Sequence, residues 1–527
     1  MGRMPRTLQA RLPVTLLLLG LILVALAGCG DDGSDSGGSA TAGIAPPSAP
    51  IFIEATIRPN GRLQANVKEI AETVAGIDNL GAKIVSELES SAREDGEPFD
   101  FETEVEPWLG EKAGIFLDGF DGDDFEHFGV AIQTTDPDAA QSFVEKQAEV
   151  DKDPIDDASY EGVEYKMDSA DESVYGIVGE LLVITEKEQA FKDAVDASNG
   201  DSLDDEAAYG DAIEAAAEGS LADVYVDVGL LIEQSGEAID ESALQALRST
   251  GIDPREATAV ASVIPGSDQV EVEISSDLGD QEAPTGDASE LLGSLPADSF
   301  AAFAVSGFGE QLKEAIDSLD KEGIPDTVPP NQLKKGLKET GIDLERIAGS
   351  FEDAGIFAQG DSESSLGGAL VLTTDDPEQA SNTVSNIGGL LRGIGTQGVT
   401  AVTGKASGFS IRSDELGSKP LVVVSKDDRI AIGYGLPPTL EAVAGSSGTT
   451  LADTPAYKDA VAALGDTPIG FFVDGPAALK LAESLVPRSE TGFQEAKPYL
   501  KKISSIALGS GSEGDRVTAK LIVGLAK

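Results

Sequence analysis

The sequence predicts an α+β fold built as two tandem homologous repeats, each a mainly antiparallel sheet covered by helices. Three observations predict it. The same motifs occur twice in the same order: Ala113-Gly114-Ile115-Phe116 matches Ala354-Gly355-Ile356-Phe357, and Gly129 to Asp136 matches Gly368 to Asp375. Short apolar runs follow one another across tight polar turns, which favours antiparallel pairing because parallel neighbours need long crossovers. Between those runs, apolar residues recur at helical spacing. Together these predict helices on one face of each sheet.

The elements follow in order. Residues 1–28 read as a lipoprotein signal: Arg3, Arg6 and Arg11 precede an apolar stretch from Leu12 to Ala27. That stretch is short for a spanning helix, which needs roughly 20 residues. Leu26-Ala27-Gly28-Cys29 looks like a lipobox, and Cys29 is the only cysteine. Cys29 is therefore the expected lipidation site, with two or three acyl chains sufficient for stable membrane anchoring. Residues 29–50, rich in Gly, Ser, Asp, Ala and Pro, read as a flexible tether. Repeat 1 is expected over 51–277, a linker over 278–296 and repeat 2 over 297–527. The period is far longer than that of a solenoid, so these are duplicated domains.

Repeat 2 shows the internal pattern best. Strands are expected at Phe300–Val305, Gly355–Phe357, Gly368–Leu372, Val399–Val402, Phe409–Ile411, Leu421–Val424, Arg429–Ile432 and Ile469–Val473. Thr374-Asp375-Asp376-Pro377 opens a helix with a capping acid and a first-turn proline, and Ala380, Val384, Ile387 and Leu391 give it one apolar face. Helices are also expected at Glu310–Leu319, Pro437–Ala444, Ala456–Leu464 and Ala477–Leu485. The alternation Val517, Ala519, Leu521, Val523 marks a final half-buried strand.

Charge and composition exclude several function classes. The chain has 94 acidic and 37 basic residues, a net charge of −57; without Arg3, Arg6 and Arg11 the charge is −60. Such a chain repels nucleic acid, so no nucleic-acid partner is expected. His127 is the only histidine, which removes Ser-His-Asp and Cys-His arrangements unless that residue serves them, and it sits among Asp124, Phe125, Glu126 and Phe128 as a surface or hairpin residue. No catalytic residues and no cofactor are expected.

Four motifs invite a closer reading. Gly393-Ile394-Gly395-Thr396-Gln397-Gly398 has dinucleotide-site spacing, yet a helix precedes it and a strand follows, the reverse of what phosphate binding requires. Asp118, Asp121, Asp123 and Asp124 form the most ligand-like acidic cluster; a hairpin turn and a Ca2+ loop both fit it, although the spacing is not that of an EF-hand. Trp108, the only tryptophan, reads either as a core residue or as a ligand-binding ring. Paired carboxylates of a hydrolase are uninformative where acids are this abundant.

The segment Glu106-Pro107-Trp108-Leu109-Gly110, the pattern Leu-x-Asp-x-x-Ala-Tyr-x-Asp-Ala starting at Leu203 and again at Leu451, and Pro296-Ala297-Asp298 resemble the bacterial domain of unknown function 3352 family. The resemblance covers nearly the whole body. It implies an exported or membrane-anchored protein and transfers no catalytic residues. The Trp108 motif stands in one repeat only.

The sequence thus points to an extracytoplasmic lipoprotein on the cell membrane, reached through its lipid anchor, with a binding or scaffolding role toward an envelope protein, lipid or peptide. A solute- or lipid-binding lipoprotein serving a transporter, and a carboxylate-dependent hydrolase, are the alternatives.

Overall fold

The computed structural model describes residues 40–526, apart from 96–97, 122–123, 151–154, 170–171, 236–253, 280–285, 323–328, 330, 340–342, 394, 414–416, 446–447 and 514–515. The chain divides into two compact units, Met1–Ala283 with Ser512–Thr518 and Lys527, and Pro284–Gly511 with Ala519–Ala526.

Unit 1 contains strands β1 (Ile51–Thr56), β2 (Leu109–Asp121), β3 (Asp124–Thr134), β4 (Ile155–Tyr160), β5 (Val163–Asp168), β6 (Val174–Val178), β7 (Leu181–Thr185), β8 (Ala222–Asp227), β9 (Thr258–Pro265) and β10 (Gln269–Asp277). They pair in the order β10-β9-β8-β1-β2-β3-β7-β6-β5-β4, every pair antiparallel. The two-residue turn Glu161-Gly162, with both φ angles positive, closes the β4–β5 hairpin and matches the strand twist.

Helices cover both faces of this sheet, a correction to the one-face expectation. Phe52, Phe116, Ala131, Val183 and Tyr225 bury one face with Phe191, Ala194 and Tyr209 from the helices Glu188–Asn199 and Ala207–Glu214. Ala113, Val130, Ile132, Leu182 and Ile184 bury the other with Ala92, Phe143 and Val144 from Leu80–Asp95 and Pro137–Val150. The continuous apolar run Leu181–Ile184, buried at every position, is what a strand covered on both sides requires. Gly129 stands opposite Phe116, whose ring lies 2.1 Å from where a Cβ would be, so the aromatic occupies the glycine's empty side.

Residues 41–49 of the expected tether 29–50 are packed instead of free. Residues 41–49 dock on unit 1: Thr41, Ala42, Ile44, Ala45 and Ala49 are buried, and Leu203 N–H donates to the Ala45 carbonyl at 2.9 Å. Gly114 makes room for this segment, since a Cβ there would lie 2.7 Å from Thr41 Cβ. The small Ala and Gly side chains that made the segment read as flexible are those that fit beneath a strand.

Unit 2 contains β11 (Ser299–Val305), β12 (Phe351–Gln359), β13 (Gly367–Thr374), β14 (Val399–Val402), β15 (Ser407–Ile411), β16 (Leu421–Lys426), β17 (Arg429–Tyr434), β18 (Ile469–Asp474), and most of β19 (Ile503–Glu513) and β20 (Arg516–Leu525). The antiparallel order β19-β18-β11-β12-β13-β17-β16-β15-β14, with β20 beyond β19, is the unit 1 order with each number raised by ten. The helix Pro377–Gly393 starts where Asp376 accepts from Gln379 N–H at 2.9 Å.

The expected linker 278–296 is also corrected at its second half. Ser289–Gly293 is helical, and Leu291, Leu292 and Leu295 are core residues of unit 2. Leu451 N–H donates to the Leu295 carbonyl at 2.9 Å, as Leu203 does to Ala45, and Gly355 leaves room for Leu291 as Gly114 does for Thr41. Three leucines outweigh the Gly, Asp and Ser around them.

Candidate functional site

A polar cluster lies on the β1, β8 and β9 strands of unit 1. Glu54 stands directly opposite Asp223, and Asp223 opposite Ser262, so all three share the face that carries Phe52 and Tyr225. Thr41 Oγ1 donates to Glu54 Oε2 at 2.7 Å, and Lys112 Nζ to Oε1 at 2.5 Å. Ser220 Oγ donates to Asp223 Oδ2 and Ser262 Oγ to Oδ1, both at 2.6 Å. Burial pushes the Asp223 carboxyl above its ordinary range, against the lowering pull of the two serines; the Glu54 charge pushes the same way as burial. Asp223 therefore holds a proton more tightly than a solvated carboxylate. Each of the four oxygens accepts a hydrogen bond from a neighbouring side chain, so both carboxyl groups are held in place by the fold. At the position facing the corresponding glycine, Gly355, unit 2 has Ala304.

The residues singled out from sequence scatter. Cys29 lies outside the described residues. Trp108 is 1% exposed, packs on Phe143 at 5.7 Å between ring centroids, and donates Nε1–H to the Glu104 carbonyl at 2.7 Å. Its ring is a core element and presents no face to a solute, which corrects the ligand-binding reading. Asp118 is engaged locally, accepting from Ser48 Oγ at 3.1 Å and from Gln234 Nε2 at 3.5 Å. Asp121 and Asp124 pair across the β2–β3 hairpin end, and Asp118 pairs with His127. Asp123, and the side chains of Asp121, Asp124 and His127, lie outside the described structure. The glycine-rich segment starts at the C-terminal end of a helix, with Thr396 N–H returning to the Leu391 carbonyl, and leads into β14.

A shallow depression of about 570 Å³ in unit 1 is lined by Asp227, Gly229, Leu230, Ile232, Glu233 and Arg255. Asp227 Oδ1 there is occupied by Leu230 N–H at 2.8 Å.

Sequence reasoning missed an apolar row on unit 2. Ile356 stands opposite Phe303, Phe303 opposite Phe471, and Phe471 opposite Leu508, one row across β12, β11, β18 and β19. Ile356 is 52% exposed, Phe303 45% and Leu508 39%. The opposite face of the same strands carries Phe357, Ala302, Phe472 and Ala507, all buried in the main core. The matching row in unit 1, Ile115, Ile53, Val224 and Ala261, is partly buried throughout. Fifteen buried residues form the core cluster on that face of unit 1, against six in unit 2. Of the eleven exposed large apolar side chains among the described residues, ten lie in unit 2. Charge divides the same way: residues 29–283 hold 61 acidic and 13 basic residues, residues 284–527 hold 33 and 21.

These features define a two-unit α+β protein with antiparallel sheets, a closed polar network in one unit and an open apolar row in the other. The chain belongs to the family described as protein of unknown function (DUF3352), whose profile matches residues 12–525. No curated protein matches it. Among solved structures, crystal form III of TP0453 is similar at 10% identity, covering 47% of this chain and 82% of that one, with a TM-score of 0.25. Crystal form I of TP0453 is similar at 9% identity, covering 48% and 83%, with a TM-score of 0.25.

Proposed function

We propose that this chain is a lipid-anchored, extracytoplasmic protein with a non-enzymatic binding or scaffolding role in the cell envelope. One observation carries the reading: Leu26-Ala27-Gly28-Cys29 stands just ahead of a docked segment, leaving only residues 30–40 as the tether between anchor and body. The body is then held close to the bilayer. Its two halves are copies of one domain, a view supported by the shared strand order and by paired details. Ser202 with Asp205, and Thr450 with Asp453, form the same capping box in each. Tyr209 on Tyr225, and Tyr457 on Phe472, make the same edge contact at 5.2 and 5.3 Å. The antiparallel pairs count against the parallel lobes of a transporter's solute-binding protein, and the engagement of all four oxygens of Glu54 and Asp223 by neighbouring side chains counts against carboxylate hydrolysis at that pair.

Labelled fatty acid fed to producing cells tests the anchor. Label is expected on the wild-type chain and lost in Cys29→Ser; a wild type that takes up no label ends the proposal.

A further inference from the structure

We infer that the row Ile356–Phe303–Phe471–Leu508 of unit 2 is the seat of a single uncharged acyl chain. The inference rests on the binding role proposed above and names its site and ligand class.

The row is built only from hydrocarbon and aromatic side chains, and its flanking positions on the same face, Ala301, Val305 and Val473, are apolar too. It offers no side-chain donor or acceptor. Strands β18, β11 and β12 each have neighbours on both sides, so their backbone groups are already paired. An extended peptide laid on this face would find no strand edge to pair with, and its own amides would be stripped of water without replacement. A hydrocarbon chain has no such groups and loses nothing on transfer. Three interstrand steps of about 4.8 Å give the row a length of roughly 14 Å, enough for about ten methylenes of one extended chain.

Charge supports an uncharged occupant. The half that carries the row is far less acidic than the half that does not, yet it remains net negative, which disfavours an anionic headgroup or a free fatty acid at neutral pH. The same charge opposes pairing with a second copy, each bringing −60. The open row falls in the unit whose covering core on that face is thinnest.

The test uses the full chain with Cys29→Ser, so that no attached acyl group competes, titrated with a pyrene-labelled monoacylglycerol below its aggregation limit. Saturable binding at one site per chain is expected. The double variant Phe303→Asn, Ile356→Asn should weaken it about tenfold or more, from the apolar contact removed. Ile274→Asn, at an exposed apolar position of unit 1, should leave it unchanged. Circular dichroism confirms that the variants fold; because the altered side chains are surface-exposed they are expected to, and Leu508→Asn repeats the test from the far end of the row. Absent binding, or equal binding by wild type and row variants, overturns the inference. A concentration-dependent dimer in sedimentation that the same substitutions disperse also overturns it, in favour of self-association. Co-sedimentation with neutral phosphatidylcholine vesicles without binding of the dispersed probe overturns it in favour of a bilayer surface. Since the assay lacks Cys29, its failure is distinct from failure of the anchor.

Discussion

Glu54 and Asp223 face each other across β1 and β8, two carboxyl groups side by side on the face that also carries the aromatic core of unit 1. Burial raises the affinity of Asp223 for a proton. A carboxyl whose folded value lies above its unfolded one stabilises the fold fully below about pH 3.9 and loses that contribution as pH rises through the folded value. Replacing Asp223 by Asn removes this dependence. Denaturant unfolding at several pH values is expected to show the variant gaining on wild type as pH rises from 4 to 7; a difference that stays flat contradicts the assignment.

The two capping boxes behave with the opposite sign. Donors from Ser202 hold the Asp205 carboxyl below its ordinary range, the backbone N–H first, and Thr450 does the same for Asp453. Their contribution is present above about pH 3.9 and is lost as pH falls through the folded values. Ser202→Ala and Thr450→Ala should each lower stability at pH 7, and less so in acid, measured by urea unfolding. Unequal losses from the two substitutions would argue that the boxes are not equivalent.

Trp108→Ala should cost about 3–5 kcal/mol in unit 1, the usual loss for a buried aromatic. As the only tryptophan it also provides its own probe. Its emission should be blue-shifted and weakly quenched by acrylamide, and should shift to the red only on unfolding. Strong quenching of the native protein would remove Trp108 from the core.

The docked segments predict matched losses. Ile44→Ala in unit 1 and Leu292→Ala in unit 2 should each cost about 2–5 kcal/mol. Limited proteolysis of the wild type should spare residues 41–50. Early cleavage after Ala45 would mean that the segment does not hold its place.

Much of the fold was legible from local patterns. The runs at Val399, Phe409, Leu421 and Arg429 became β14 to β17, and the Asp376–Pro377 start became a capped helix, because turn chemistry and apolar spacing act within a few residues. The segment 41–49 was not legible, since Ala and Gly carry the same composition whether they swing in water or fill a narrow gap. Glu54 and Asp223 are distant in sequence and meet only through strand register, which no local pattern encodes. Phe303 and Ile356 fall inside predicted strands, but hydropathy records what a side chain prefers, not whether anything covers it.

The position of β1 has a mechanical consequence. β1, which follows the docked segment 41–49, lies between β2 and β8, in the interior of its sheet. Tension on residues 30–40 first meets the docked segment 41–49 and then enters β1 along its length. Hydrogen bonds on both flanks share that load in shear, where an edge strand would peel one bond at a time. A body loaded from that side resists unravelling.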